Sequence, residues 1–524
     1  MTQSELTQHN VAPREAQARA PATEPNSHAG PRPTASEPRK VDFCIVGSSM
    51  PARLVALKAA EAGASTLLVT SPTAATTPAG VFYAPLALVE AGKLIYAATS
   101  IDRLNLRDRD SLPATHGEEL TAPRLSGEGL VRHLRLVGET LALRTDSKRL
   151  RALQVSILTE ETRFEDTRTL RAGDHRIAAR QFVLAPDLEW DIPGIPGIDE
   201  IDYLTPDRPI IASRPVERLV VIGMSDSGLA LAQAHRHLGA DVTLLPSPDD
   251  DSAAFDDEII RLALAGLARD GVVIDPDARV TRIEARGREA VVHISGHNGP
   301  HHFEPSQVLL APRLRARFTD PDWATARIST TNGQPVVNAA LRTSNSRVSV
   351  IDATRAGDIF SFRLDDDADF LVDSLLRGRR QPSAPSIRAI PTTPAVAIVG
   401  ASEAAARDAH GRIKVTRASH AHHLSRIARH RILSQPAGEL KVIATRSGRI
   451  VGCAIAGDGA LDVAGLWALA ISRKLKLDDL ARLSFPDIAL NSLTRRATRL
   501  SIYGWPLAGS MLLRLARLWR RIRG

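Results

Sequence analysis

Two segments of the chain, residues 41–70 and 218–245, each have the pattern of a β-strand, a helix and a second β-strand. In the first, the apolar run VDFCIVG is followed by the turn GSSMPA, the helix pattern ARLVALKAAEAG and the apolar run STLLVT. In the second, RLVVIG, MSDSG, LALAQAHRHLGA and DVTLL follow in the same order. Apolar strands joined by a helix pair in parallel within a doubly covered sheet. The predicted fold class is therefore α/β, with two Rossmann-like domains.

The turn of each unit has an altered dinucleotide-binding fingerprint. In G-x-G-x-x-G/A, the first glycine makes a tight turn, the second admits the pyrophosphate and the third lets helix and strand pack closely. The corresponding residues are Gly47, Ser49 and Ala52 in the first unit and Gly223, Ser225 and Gly228 in the second. Serine replaces the middle glycine in both units. We predict that these six residues contact a nucleotide, although Ser48 and Ser49 also fit a helix N-cap.

The second unit departs further from the fingerprint than the first. Asp226 places a carboxylate in its turn, where it would repel a pyrophosphate if it pointed inward. A dinucleotide fold also places an acidic residue at the end of the second strand, to bind the ribose hydroxyls. Thr70 and Pro246 occupy that position in the first and second units. The second site is therefore predicted to bind nucleotide more weakly than the first.

Composition excludes several other classes of protein. Hydrophobic residues make up 43% and charged residues 24% of the chain, which is usual for a soluble globular protein. The formal net charge is +8, but the arginines are scattered, so no nucleic-acid partner is expected. The two cysteines, Cys44 and Cys453, stand in apolar runs and are predicted to be buried thiols. We expect no metal site, and the histidines of SHAHH (residues 419–423) are predicted to lie in a surface loop.

Several segments outside the two units resemble one known family. They are FVLAPDLEWDIPGIPGIDE (182–200), VVNAALRTSNSRVSVIDAT (336–354), TTPAVAIVGASEAAAR (392–407), GELKVIATRSGRIVGCAIAG (438–457) and ALAISRKLKLDDLA (468–481). Their order is similar to that of the flavin-dependent pyridine nucleotide–disulfide oxidoreductases, the family of mercuric reductase and dihydrolipoamide dehydrogenase. The resemblance implies a C-terminal α+β dimerisation domain and a homodimer.

The resemblance also implies a domain organisation in which the FAD-type domain is split in sequence. The predicted parts are a disordered segment (1–40), the first part of the FAD-type domain (41–210), the NAD(P)-type domain (211–325), the second part of the FAD-type domain (326–385), the dimerisation domain (386–500) and a basic amphipathic tail (501–524). Residues 511–524 place leucines and Trp519 on one helical face and arginines on the other. That pattern suits an anionic membrane surface or packing on protein. We expect a cytoplasmic protein, with peripheral membrane association as an alternative.

Each functional position of the family can be compared with the residue present here. The family motif C-x-N-x-G-C-x-P-S-K aligns on Lys93, which places Ala84 and Val89 at the two redox cysteines. The family's acid–base His and Glu, supplied by the other subunit, correspond to Leu483 and Leu490. Lys93 and Asp352 are retained, and relatives use these positions beside the flavin ring and its ribityl chain. A solvated lysine and a turn aspartate are the alternatives for these two residues.

These replacements leave three functions open. The first is a non-catalytic dimer that acts as a scaffold, or that binds a protein partner or an active paralogue. The second is an FAD-containing NAD(P)H oxidoreductase that works without an active-site disulfide. The third is a nucleotide-sensing or membrane-surface regulator. The first site is compatible with FAD bound at reduced affinity, and flavin in the purified protein would favour the oxidoreductase over the other two functions. NAD(P)H is expected to bind weakly or not at all.

Overall fold

The computed structural model of the protein describes residues 37–72, 83–103, 127–210, 216–250, 258–287, 289–296, 299–319, 321–378, 385–419, 438–485, 490 and 492–503. In the part up to residue 210, the strands and helices are β1 (Arg39–Val46), α1 (Met50–Glu61), β2 (Thr66–Thr70), α2 (Ala84–Arg103), α3 (Gly127–Ala142), α4 (Ser147–Ala152), β3 (Ser156–Thr159), β4 (Thr162–Phe164), β5 (Thr169–Ala172), β6 (His175–Leu184) and β7 (Asp187–Trp190).

The remaining elements follow in the same alternating way. Up to residue 319 they are β8 (Arg218–Ile222), α5 (Asp226–His237), β9 (Asp241–Leu245), α6 (Glu258–Arg269), β10 (Val273–Ile274), β11 (Arg279–Arg286), β12 (Glu289–Ser295), β13 (His301–Phe303), β14 (Gln307–Leu310) and β15 (Leu314–Arg317). Then come β16 (Thr330–Thr331), β17 (Gln334–Pro335), β18 (Val348–Val350) and α7 (Leu364–Arg377). The last part contains β19 (Ile387–Ile390), β20 (Val396–Gly400), α8 (Glu403–His410), β21 (Ile413–Ser419), β22 (Glu439–Thr445), β23 (Ile450–Ala456), α9 (Ala460–Ser472), α10 (Leu477–Ala481) and α11 (Ser492–Tyr503).

The first sheet has the strand order β3-β2-β1-β6-β5-β4, and β18 also pairs with β6. Strands β3, β2, β1, β6 and β18 are parallel, whereas β4 and β5 are antiparallel. One face packs against α1 and α7 through residues such as Phe43 and Leu371. The other buries Cys44, Phe182 and Trp323. The first βαβ unit is thus confirmed, and β18 returns from beyond the second sheet to complete it.

The second sheet is parallel, with the order β10-β9-β8-β14. Helices α5 and α6 cover one face together with α2, whose Leu88 shares an apolar cluster with Leu229 and Ile260. The antiparallel strands β11, β12 and β13 cover the other face. A third, antiparallel sheet has the order β19-β20-β23-β22-β21 and packs on α9, α10 and α11 around Trp467. The α/β class with two Rossmann-like units and a C-terminal α+β unit is confirmed.

The start of α5 contacts both neighbouring parts of the chain, which form one compact unit from Pro38 onward. The guanidinium of Arg388, on β19, donates to the carboxylate of Asp226 from Nε and Nη2 at 2.7 to 3.0 Å. The backbone N–H of Ser227 donates to Asp358 at 3.0 Å, and Asp358 lies between β18 and α7. Asp226, Ser227, Asp358 and Arg388, here called the α5 junction, therefore join the second sheet, the returning segment and the third sheet.

A second contact fixes the far part of α5 to the third sheet. The Gln233 side chain accepts a hydrogen bond from the backbone N–H of Thr393 at 2.7 Å and donates to its carbonyl at 3.0 Å. Gln233 also donates to Asp270 at the end of α6. Because the amide satisfies a backbone donor and a backbone acceptor at once, it fixes the distance between the two sheets.

Removing the guanidinium of the α5 junction is expected to destabilise the protein. In Arg388→Ala, the Asp226 side chain, which is 5% exposed, loses its salt-bridge partner. Breaking a buried pair costs about 3–5 kcal/mol, and partial exposure of Arg388 reduces this to about 2–3 kcal/mol. Urea unfolding measures the loss. Arg135→Ala, which breaks an exposed pair with Glu139, is the control and should cost less than about 1 kcal/mol. Equal losses in the two variants would contradict the expectation.

The α5 junction also predicts a pH dependence. Burial, and secondly the charge of Asp226, raise the pKa of Asp358 to about 6. The folded protein therefore holds a proton between about pH 4 and pH 6 that an unfolded aspartate has released, so this group's contribution to stability falls as pH rises through that window.

The test compares the unfolding free energies of wild type and Asp358→Asn at several pH values. The difference, wild type minus variant, should fall from about pH 4 to about pH 6 and then stay level. Loss of a hydrogen bond in the variant would change the difference in unfolding free energy by the same amount at every pH, so it would not change the slope against pH. Asp369→Asn, at an exposed carboxylate paired with Lys58, is the control. A pH-independent difference for Asp358→Asn would refute the prediction.

Candidate functional site

The turn after β1 approaches the neighbouring strand very closely. Gly47 has φ +142°, and a Cβ atom added to it would overlap the carbonyl oxygen of Ala185, just after β6. Its N–H donates to Val69 on β2. Only glycine fits here, as the tight-turn interpretation of the fingerprint requires. The start of α1 is consequently held at the carboxyl edge of the sheet.

Two buried hydroxyl groups follow this glycine. Ser48 and Ser49 are 5% and 3% exposed, and neither Oγ atom has a hydrogen-bond partner among the described residues. Ser49 occupies the N-cap position of α1, yet its side chain makes no capping bond. Ala52 is buried against the sheet, as the third fingerprint position requires. An unsatisfied buried hydroxyl costs about 1–3 kcal/mol, so a ligand with oxygen acceptors would stabilise this turn.

A cleft whose lining includes Ser48 opens at the carboxyl ends of β1, β2 and β6. The residues that line it include Gly47, Ser48, Ser71, Glu160, Glu161, Asp187, Arg317 and Trp323. Burial raises the pKa of the Asp187 carboxyl, and Glu161 acts in the same direction against the opposing charge of Arg317. Asp187 is the first residue of β7. The cleft is therefore lined both by serine hydroxyl groups and by carboxylates.

Asp352 lies at the end of β18, next to this edge of the sheet. Its carboxylate accepts hydrogen bonds from the backbone N–H of Thr354 at 2.9 Å and from the Thr354 hydroxyl at 2.7 Å. It thereby caps the short 3-10 helix Ala353–Ala356. The structure places Asp352 in a turn, as the alternative interpretation has it, and its contact with a ribityl chain stays a prediction.

The turn after β8 has the same backbone geometry as the first turn. Gly223 has φ +119°, and a Cβ atom on it would lie 2.7 Å from the carbonyl oxygen of Ala311, just after β14. Its N–H donates to Leu245 on β9. A Cβ atom on Gly228 would overlap the carbonyl oxygen of Gly223, so the helix and the turn pack here without space for a side chain. The two units are structurally equivalent at the first glycine, whereas the third fingerprint position has a Cβ atom in Ala52 and no space for one at Gly228.

The hydrogen-bond donors of this second turn are used differently. The backbone N–H of Met224 donates to the carboxylate of Asp250 at 2.8 Å, and that carboxylate also accepts from the Ser247 N–H at 2.7 Å. Ser225 Oγ accepts from the Gly228 N–H at 3.2 Å, which caps α5. The Ser227 N–H is taken by Asp358 in the α5 junction. Side chains of this protein therefore occupy donors that a pyrophosphate uses in a dinucleotide-binding fold.

The carboxylate on this turn differs from the one the sequence pointed to. The prediction considered Asp226 as an inward charge, but its carboxylate pairs with Arg388. Asp250 accepts from the turn instead, and sequence reasoning missed both Asp250 and Asp358. The acidic run SPDDD after β9 was the available signal for Asp250, since its residues can fold back over the end of β8.

The two positions aligned with the redox cysteines lie on α2. Ala84 is half-buried at the helix start, and Val89 is 3% exposed in the apolar cluster shared with α5. Lys93 pairs with Glu90 on the same helix at 3.0 Å, which agrees with the alternative of a solvated lysine. Ala230 on α5 is buried in the same apolar cluster as Val89. Ala84 and Val89 carry no thiol, and the charge of Lys93 is paired within α2.

The two cysteines of the chain lie elsewhere. Cys44 is on β1 and Cys453 on β23, both fully enclosed and both free. Burial raises the pKa of each thiol well above its usual range. Since the thiolate is the reactive form, neither cysteine is suited to exchange with a disulfide.

Both positions aligned with the acid–base pair hold leucine, and the two leucines differ in solvent exposure. Leu483 is 43% exposed, whereas Leu490 is 4% exposed and packs against Gly457 in the third sheet's core.

The histidines at 420, 422 and 423 and the tail 511–524 lie outside the described residues. Within the described ranges, no group of three or more His, Cys, Asp or Glu side chains is arranged to hold a metal ion. No helix in those ranges is both long and apolar enough to cross a membrane.

Known proteins match this arrangement over most of the chain. The Pyridine nucleotide-disulphide oxidoreductase family matches residues 41–361, and the dimerisation domain of the same family matches residues 387–492. Mercuric reductase from Lysinibacillus sphaericus is 23% identical over 463 residues, which are 86% of this chain and 80% of that protein. Mercuric reductase from Bacillus cereus is 24% identical over 336 residues, 63% of this chain and only 52% of that protein.

A solved structure agrees with the same fold. The Cu(II) complex of the HOCl-induced flavoprotein disulfide reductase RclA from Escherichia coli superposes with a TM-score of 0.69, covering 88% of this chain and 100% of that chain at 17% identity. At this identity the likeness concerns the fold alone. The family assignment rests on the match to residues 41–361, which is more than half of the chain. The resemblance seen in the sequence is confirmed, and the chain belongs to the pyridine nucleotide-disulphide oxidoreductase family.

Proposed function

We propose that this protein is a non-catalytic member of its family, a dimer that can hold FAD in its first site and is closed to NAD(P)H at its second. The observation that carries the proposal is the hydrogen bond from Met224 N–H to Asp250. Members of this family take electrons from a pyridine nucleotide, and a carboxylate at this turn opposes binding of that nucleotide. The role left to the fold is that of a scaffold, or of a partner for another protein such as an active paralogue.

Electrostatics give the size of this effect at the second site. Two unit charges about 4 Å apart repel by about 1 kcal/mol in water and about 4 kcal/mol near a protein surface. To bind at Met224 N–H, a pyrophosphate must displace Asp250 and then tolerate its charge. Each 1.4 kcal/mol lowers affinity about tenfold, so NAD(P)H affinity is expected to fall by at least tenfold from this residue alone.

The residues of the first site fit an FAD-type ligand better. Ser48 and Ser49 have buried hydroxyls without partners at the start of α1, where phosphate oxygens bind in related folds. FAD supplies two-electron redox chemistry when it is bound. The carboxylate of Asp187 lines the same cleft and is balanced only in part by Arg317. We therefore expect FAD to bind, with an affinity lowered by this negative charge.

The side chains that relatives use after the flavin has been reduced are also replaced in this chain. The family passes electrons to a cysteine pair and uses an acid–base pair from the other subunit. The aligned residues here are Ala84, Val89, Leu483 and Leu490. Dimerisation is retained in this proposal, because a dimerisation domain is present in the chain. The exposed Leu483 then marks a surface of the dimer that can contact a partner rather than a substrate.

One observation favours a second function. The retained first turn, with its unpartnered serines, is compatible with a flavin that reacts directly with an electron acceptor. That alternative requires the protein to take hydride from NAD(P)H, and hence requires Asp250 to move. A third function, regulation at a membrane surface through residues 511–524, depends on residues outside the described ranges.

The first test is a titration of FAD, NADH and NADPH into purified protein that has been stripped of flavin, measured by calorimetry. We expect FAD to bind and NAD(P)H to bind at least a hundredfold more weakly than to an intact relative, from Asp250 together with the missing ribose-binding acid after β9. No turnover of mercuric ion, lipoamide or glutathione disulfide is expected. Micromolar NADH binding, with reduction of bound FAD, would reject the non-catalytic function and favour the oxidoreductase.

The second test measures how much of the expected loss of NAD(P)H affinity is caused by the Asp250 carboxylate. Asp250→Asn keeps the shape of the side chain and removes its charge, so NADH affinity should rise about tenfold or more. Asp249→Asn is the matched control, because Asp249 is an exposed neighbour in the same acidic run. Its NADH affinity should equal that of wild type. An Asp250→Asn variant that gains nothing would show that Asp250 does not close the site.

A further inference from the structure

The end of β2 has no acidic residue of its own. Thr70 occupies that place, and its hydroxyl donates to the carbonyl of Leu158 at 3.2 Å and lies 3.1 Å from the hydroxyl of Thr159. Both neighbours belong to β3, so the threonine side chain holds two strands together. A hydroxyl used in this way is a poor substitute for the carboxylate that binds ribose in a dinucleotide fold.

The carboxylate of Glu161, which follows β3, lies near the end of β2. Ser71 directly follows β2, and its hydroxyl donates to the carboxylate of Glu161 at 2.7 Å. Glu161 stands in the short connection between β3 and β4, and its side chain is exposed. Glu161 and Ser71 line the cleft that also contains Gly47 and Ser48. Ser71 therefore fixes a carboxylate beside the end of β2.

We propose that Glu161 binds the ribose hydroxyls of the adenosine half of a dinucleotide in the first site. This inference rests on the proposed flavin-type site and names the residue that selects the ribose. A carboxylate only accepts hydrogen bonds, and the vicinal hydroxyls of a ribose are donors that match it. The phosphate end of the ligand lies toward Ser48 and Ser49, so the ribose falls between the turn and Glu161.

The same carboxylate gives the site a preference between ligands. A ribose that carries a 2′-phosphate would bring its negative charge close to the Glu161 carboxylate. Ligands with an unmodified ribose are favoured, and ligands without the 2′-hydroxyl lose a hydrogen bond to a charged acceptor. Such a bond is usually strong enough to change affinity by about tenfold or more.

The test measures binding of ADP, 2′-deoxy-ADP and FAD to the flavin-free full chain by calorimetry. Wild type should bind ADP about tenfold or more tightly than 2′-deoxy-ADP. Glu161→Gln should lose about tenfold or more in ADP affinity and should no longer distinguish the two ligands. Ser71→Ala, which keeps the carboxylate but removes its anchor, should show a smaller loss in the same direction.

Glu61→Gln is the matched control, since Glu61 is an exposed carboxylate at the end of α1 that pairs with Arg149 and lies outside the cleft. It should bind both nucleotides as wild type does. Unchanged ADP binding in Glu161→Gln, or no preference for ribose in wild type, would overturn the inference while leaving the flavin site intact. Absence of both FAD and ADP binding in wild type would instead overturn the flavin site and this inference together.

Discussion

The whole arrangement depends on a close contact between a turn and the strand beside it. In each Rossmann-like unit, a glycine backbone lies directly against the carbonyl of the residue just after the adjacent strand, Ala185 for Gly47 and Ala311 for Gly223. The contact excludes any side chain and leaves a positive φ that glycine adopts without strain. It therefore fixes where the following helix begins. The hydroxyls of Ser48 and Ser49 and the backbone donors of Met224 and Ser227 are positioned by that start.

The two turns share this backbone but differ in which groups bind their donors. In the first, Ser48 and Ser49 stay without partners within the described residues, and the cleft in front of them is open to a ligand. In the second, Asp250 and Asp358 accept from the turn and the first residues of α5. Substitution of the middle glycine by serine is therefore a poor guide to binding, since it has occurred in both units. The two sites differ in the hydrogen-bond acceptors that other loops place against each turn.

Sequence reasoning reached the features that are encoded locally. The two βαβ units, the turn glycines, the buried cysteines and the family follow from short stretches of sequence, because strand and helix periodicity and a tight turn each need only a few neighbouring residues. Asp250, Asp358 and Arg388 could not be placed in this way. Their partners lie 26, 131 and 162 positions away in the chain. Asp226 was for this reason considered as a charge facing a ligand, whereas the fold gives it a guanidinium from the third sheet.

Burial of both thiols has a consequence for how the protein behaves toward oxidants. Relatives that work through a cysteine pair expose a reactive sulfur, and oxidants convert such a group through sulfenic acid to irreversible products. Cys44 and Cys453 are enclosed within separate sheets, and their raised pKa values leave almost no thiolate. The folded chain thus presents no sulfur nucleophile from cysteine. Its two thiols become accessible to an oxidant only when a sheet opens.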